Sequence, residues 1–199
     1  MESKKGVSKG VLLGVLLIIV LVLGVIGASF YIYDNKPSNV EEKTFDGGRV
    51  SLTYTDEANL FTIENAVPTS DLVGIKYDSA DLFFDFSVKT EIEEANYVEY
   101  EIILVKDETV STALDNNIKV YLEKEDRGTY TKVAGPDTFV SDVDDNSIGK
   151  QAMSFYKQKK SSDGTDNYRL RMWLSDTAVF SPEEVQNYGI KIAIRGIAK

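Results

Sequence analysis

From Gly10 to Tyr33 the chain carries no charged residue, and Val11 to Ile26 is almost wholly Val, Leu, Ile and Gly. A helix needs about 20 such residues to cross a hydrocarbon core of roughly 30 Å, so this run is long enough to span a bilayer. A cleaved signal peptide carries a shorter apolar stretch, of about 7–15 residues. Lys4, Lys5 and Lys9 precede the run and acidic residues follow it. The positive-inside rule then puts the N-terminus in the cytoplasm and the remainder outside, with Tyr31 and Tyr33 as interfacial aromatics at the far end. The expected organisation is a basic cytoplasmic tail over 1–9, a transmembrane helix over 10–33 in contact with the lipid bilayer, a linker over 34–44 and an extracellular domain over 45–199. Two other readings compete. Gly27 and Ser29 satisfy the small-residue rule for cleavage after Ser29, which would release a secreted domain. A type IV-like pilin also joins a basic leader to an assembling apolar helix, but its run usually carries a Glu and this one has none.

The formal net charge is −10, and because residues 1–33 hold Glu2 against three lysines, the part after Tyr33 carries −12. A surface that acidic repels nucleic acid and anionic headgroups, so no nucleic-acid partner is expected.

Beyond the polar, Pro-containing stretch Asp34–Thr44, short alternating runs are separated by turn chemistry. Arg49–Thr55 sets Val50, Leu52 and Tyr54 on one face, and Leu82–Lys89 groups Phe84, Phe86 and Val88. Tyr97–Lys106 alternates and then becomes continuously apolar, as in a strand covered on both sides. Ile118–Glu123 aligns Ile118, Val120 and Leu122, and Tyr188–Ala198 aligns Ile190, Ile192 and Ile194. In Tyr168–Asp176, Tyr168, Leu170, Met172 and Leu174 point inward and Arg169, Arg171 and Trp173 outward. Asp126-Arg127-Gly128, Gly135-Pro136-Asp137 and Ser162-Asp163-Gly164 read as turns. Ser181-Pro182-Glu183-Glu184 reads as an N-cap opening one or two helical turns. Eight to ten strands without a long amphipathic helix predict an all-β, two-layer sandwich, jelly-roll or immunoglobulin-like.

The chain has no cysteine and no histidine. Disulfides, thiol nucleophiles, the usual zinc sites and Ser-His-Asp or Cys-His constellations are therefore unavailable. No phosphate-binding Gly-rich loop appears, and no carboxylate pair is marked by its neighbours. The expectation is a protein that is not an enzyme, with no catalytic residue and no cofactor. Calcium is the one candidate ion: Asp142, Asp144 and Asn146 stand at i, i+2, i+4, but no Gly follows Asn146, and Met153 stands where a bidentate Glu belongs. A solvated acidic loop explains the same residues. Trp173, with Arg169 and Arg171, is the candidate ligand or partner contact, as a carbohydrate-stacking platform or an assembly surface. Alternatively Trp173 fills the other side of its sheet beside the two arginine stems.

The stretch Tyr168-Arg-Leu-Arg-Met-Trp-Leu-Ser-Asp176, with Tyr188-Gly-Ile-Lys-Ile-Ala-Ile194, resembles the closing strands of exported β-sandwich proteins of Firmicutes similar to the TasA/camelysin biofilm-fibre family. Ile63–Asp71 followed by Phe84-Asp-Phe-Ser-Val88 is similar to their opening. The resemblance implies a jelly-roll, a cell-surface or matrix role and self-association or contact with other surface proteins. It transfers no site, since a chain without His lacks the usual zinc motif. The expected function is that of a membrane-anchored surface protein of structural or adhesive type. An extracellular module binding glycan or Ca²⁺ is the alternative.

Overall fold

The computed structural model describes residues 40–45, 47–54, 59–79, 82–143, 148, 151–181 and 183–198. The expected cytoplasmic tail and transmembrane helix, with 34–39 of the expected linker, lie outside these residues. Among the described residues no helix is long and apolar enough to cross a membrane.

Ten strands form two antiparallel sheets: β1 (Val40–Phe45), β2 (Gly48–Tyr54), β3 (Phe61–Ile63), β4 (Phe83–Ile92), β5 (Val98–Lys106), β6 (Ile118–Asp126), β7 (Thr129–Thr138), β8 (Ala152–Lys160), β9 (Gly164–Leu174) and β10 (Tyr188–Ala198). The larger sheet runs β1-β2-β4-β9-β6-β7 and the smaller β3-β10-β5-β8. Only β1–β2 and β6–β7 are hairpins between neighbours in sequence; every other connection carries the chain from one sheet to the other. The fold is thus all-β, and its described residues add one helical turn, α1 (Asp71–Gly74), and a short 3₁₀ turn at Asp115–Asn117.

Alternation fixes which side chains meet between the sheets, because residues two apart share a face. Val50, Leu52, Phe84, Phe86, Val88, Ile118, Val120 and Leu122 are buried in the core with Tyr168, Leu170, Met172 and Leu174. The smaller sheet supplies Val98, Tyr100, Ile102, Leu104, Ile190, Ile192 and Ile194. Each such side chain contributes about 1.5–3 kcal/mol on leaving water. Ile103, on the opposite face of β5, is also fully buried, as its uninterrupted apolar run predicts. Aromatic rings continue across the larger sheet, with Phe84 6.4 Å from Phe86 and Phe86 stacked 5.4 Å from Tyr168.

Three local expectations change. Val40–Thr44, read as the end of a linker, belongs with Phe45 to an edge strand paired to β2 from Val40↔Thr53 to Phe45↔Gly48. Gly135-Pro136-Asp137, read as a turn, lies inside β7, where the register with β6 slips. Gly135 has φ 75°, and a Cβ there would sit 2.3 Å from the Val120 carbonyl oxygen, so the bulge admits only glycine. Ser181 opens one turn rather than a helix: the Glu184 N–H donates to Ser181 O (2.9 Å) and the Ser181 N–H to Glu184 Oε2 (3.3 Å). Only the Glu184 half of a capping box forms, and no apolar periodicity follows to hold a longer helix against the sheets. Asp126-Arg127-Gly128 does close the β6–β7 hairpin, with φ 52° at Arg127 and 82° at Gly128, as the twist of a tight hairpin demands.

Candidate binding cleft beside Trp173

Residues 69–79 cross the outer face of the larger sheet. They are tied to the end of β9 by Thr69 N–H donating to Leu174 O (2.9 Å) and a parallel bridge between Thr69 and Ser175. Tyr77 is held to the same segment by a 2.8 Å hydrogen bond between its hydroxyl and Thr69 Oγ1. Under this strap lie two of the three outward residues of β9 singled out from the sequence, Trp173 and Arg171, while Arg169 sits between Phe83 and Tyr130. Trp173 is only 2 % exposed, its ring lying directly beneath Gly74, where a Cβ would come within 2.3 Å of Cδ2. Arg171 is also buried: Nε donates to Tyr77 O (2.6 Å), Nη1 pairs with Glu123, and burial lowers its pKa. Arg169 makes two 2.7 Å bonds to the Asp85 carboxylate, with its guanidinium 3.8 Å from the Phe83 ring centre. The Asp85 hydrogen bond raises its pKa.

The structure therefore gathers Trp173, Arg169 and Arg171 on one face and occupies all three with covering groups. A sugar stacking on the indole needs an exposed face, and Gly74 covers one. What remains open is the margin. A cleft of about 460 Å³ is lined by residues 62–67, by Met172–Leu174, and by Tyr77 and Leu82. Trp173 Nε1 is buried and has no hydrogen-bond partner. An unmade bond of that kind costs about 1–3 kcal/mol. Strand alternation put Trp173 outward, but nothing in the pattern announced the strap above it or the cleft at its edge. Asn65, on the rim, has φ 50°, and its N–H donates to Asn187 Oδ1 (2.9 Å).

The proposed calcium loop is only partly described, since Asp144 and Asn146 lie outside the described residues. Asp142 Oδ1 accepts the Ser154 N–H at 2.7 Å, so this carboxylate already anchors the loop to the start of β8. Among the described residues no three His, Cys, Asp or Glu side chains gather as a metal site.

A second polar cluster lies at the other end of the core. Asp166 accepts from Tyr100 OH (2.8 Å) and Lys160 Nζ (2.9 Å) and pairs with Lys124 (3.0 Å), while the Tyr100 and Tyr168 hydroxyls hydrogen-bond each other. Burial pushes the Asp166 pKa up, but the bonds from Lys160, Tyr100 and Lys124 outweigh it and leave the carboxyl below its ordinary value. Burial raises both tyrosine hydroxyls. An anion locked by three donors beside two neutral phenols is a weak base, and the cluster bolts the two sheets together, since Tyr100 and Lys160 belong to one and Asp166, Tyr168 and Lys124 to the other.

No protein-family model matches the chain, and neither the curated proteins nor the solved structures give a match.

Proposed function

We propose that this chain is a membrane-anchored cell-surface protein of structural or adhesive type that works through protein–protein contacts and not by catalysis. The carrying observation is the order of parts in the sequence: three lysines, an uncharged run long enough to span lipid, then an acidic part whose described strands form two antiparallel sheets. In this reading the sheets form a jelly-roll or immunoglobulin-like sandwich on the outer side, and the resemblance to the TasA/camelysin family suggests a matrix or fibre role. The absence of His and Cys from the sequence supports a non-catalytic role, as does the engagement of the buried carboxylates Glu101, Asp107 and Asp166 with Arg or Lys partners.

Protease digestion of intact cells expressing the full chain, with fractionation and cross-linking, tests this. The chain is expected in the membrane fraction, with its acidic part digested from outside and cross-linked to other proteins. Recovery of the full-length chain in the cytosol, or protection of the acidic part until the cells are lysed, overturns the reading. The cleft beside Trp173 favours a second reading, an extracellular ligand-binding module.

A further inference from the structure

Two features of opposite shape adjoin beside Trp173. The hole is the cleft of about 460 Å³, whose lining includes Ile63, Val67, Leu82 and Met172 together with Glu64 and Tyr77. The knob is α1. The 2.8 Å bond between Thr69 Oγ1 and the Tyr77 hydroxyl closes residues 70–76 into a small loop, and the chain on either side of that loop, at Val67 and at Tyr77, belongs to the cleft lining. Gly74 rests on the Trp173 ring, which lines the same cleft. Knob and hole are therefore joined through Val67, Tyr77 and Trp173. Two positions along a helical turn is about half a revolution, so Leu72 faces away from the ring that Gly74 touches. Leu72 is 74 % exposed and its neighbour Val73 52 %. Glu64 in the cleft lining and Lys76 beside Tyr77 are both exposed, and among the described residues neither is held in an ion pair.

An exposed apolar knob beside a partly apolar hole, with one free anion and one free cation around them, is complementary to itself. A twofold axis between knob and hole sets each knob in the other copy's hole and each Lys76 against the other copy's Glu64. A partner of a single charge sign meets only one of these two side chains, whereas a second copy meets both. Resting on the proposed role in protein–protein contact, we infer that this face pairs with the same face of a second copy of the chain, with Leu72 of each seated in the other's cleft. The net negative charge opposes the approach of two copies, but physiological salt screens it beyond about 8 Å, so the contacts at the face decide. A contact built on one knob and one hole per copy is weak in free solution and gains from the effective concentration of copies held in one membrane.

The chain has no cysteine, so an introduced disulfide reports a single contact. Two differently tagged forms of the full chain, Leu72→Cys and Val67→Cys, both at exposed positions, are mixed in phosphatidylcholine vesicles and oxidised. In the control Glu93→Cys, exposed beside the β1–β2 turn, replaces Val67→Cys and reports random collision. The cross-link between positions 72 and 67 is expected to form at least about tenfold faster than the control. Lys76→Glu or Glu64→Lys, placed in both tagged forms, is expected to slow it about tenfold, as reversal of two exposed ion pairs implies. The two reversals together are expected to restore the rate, with circular dichroism unchanged throughout. A cross-link no faster than the control, no loss from either charge reversal, or no recovery in the double reversal would overturn the inference. Flotation of the vesicles reads anchoring separately: a chain left behind refutes the anchored reading, and the same trapping in solution then tests the pairing alone.

Discussion

Replacing Gly74 by alanine tests whether the strap over the outer sheet is a fitted cover or a loose loop. A Cβ at this position would lie 2.3, 2.5 and 2.7 Å from Cδ2, Cε2 and Cε3 of Trp173, well inside ordinary carbon–carbon contact. These are atoms of a rigid ring wedged on the sheet at 2 % exposure, so the indole cannot swing away and α1 must lift by about 1 Å. Overpacking of this sort typically costs about 1–3 kcal/mol. For a unit of this size each kcal/mol lowers Tm by about 2–4 °C, so a 2 kcal/mol cost corresponds to a fall of about 4–8 °C. Thermal unfolding followed by circular dichroism gives the shift, and Trp173 emission should move to the red as water reaches the ring. Gly164→Ala is the control, because a Cβ there meets only Lys160 Nζ at 3.9 Å. An unchanged Tm and emission for Gly74→Ala, or an equal loss for the control, would show that the strap does not rest on the indole as described.

Two predictions concern buried carboxylates. Asp166→Ala strands Lys124, Lys160 and the Tyr100 hydroxyl without their acceptor and is expected to cost about 3 kcal/mol or more, against about 1 kcal/mol for Tyr100→Phe, in urea unfolding. Equal costs would refute the role of the carboxylate as the shared hub. Hydrogen bonds from Lys191 and Thr109 hold the Asp107 pKa down at about 2, against an ordinary 3.8. Because the folded pKa is the lower one, its stabilisation is complete above about pH 4 and is lost as pH falls through about 2. Asp107→Asn should therefore lower Tm at pH 6 while the variant and parent converge near pH 2. A constant difference across that range would refute the linkage.

The strands legible in the sequence are those with one face in the core. In β2, β4, β6, β9 and β10 every second residue must be apolar, and the inward sets read from alternation are the buried sets. The edge strands were harder to read. β1 (Val-Glu-Glu-Lys-Thr-Phe) is polar because its described side chains are half-buried or exposed, and β7 has no fully buried residue. The Gly-Pro pair in β7 carries turn chemistry that the chain uses for a bulge. Alternation also placed Trp173, Arg169 and Arg171 on the outer face, but the strap over Trp173 and Arg171 comes from residues about a hundred positions earlier. Local pattern carries no information about such a contact. α1 is four residues long and lacks a side-chain cap, so it owes its existence to packing against Trp173 rather than to its own sequence.

The placement of β10 has a consequence for how the molecule is made. It is the last strand in sequence, yet it sits inside the smaller sheet, between β3 and β5, and carries Ile190, Ile192 and Ile194 into the core. A nascent polypeptide that has not yet reached Tyr188 has no centre for that sheet, and among the described strands the sequence-local pairings are two hairpins, each at an edge of the other sheet. Closure of that sheet must then wait for Tyr188–Ala198, and the long-range pairings make it slow. Until β10 arrives, β3 and β5 have no common neighbour, so one late segment decides whether the smaller sheet exists at all.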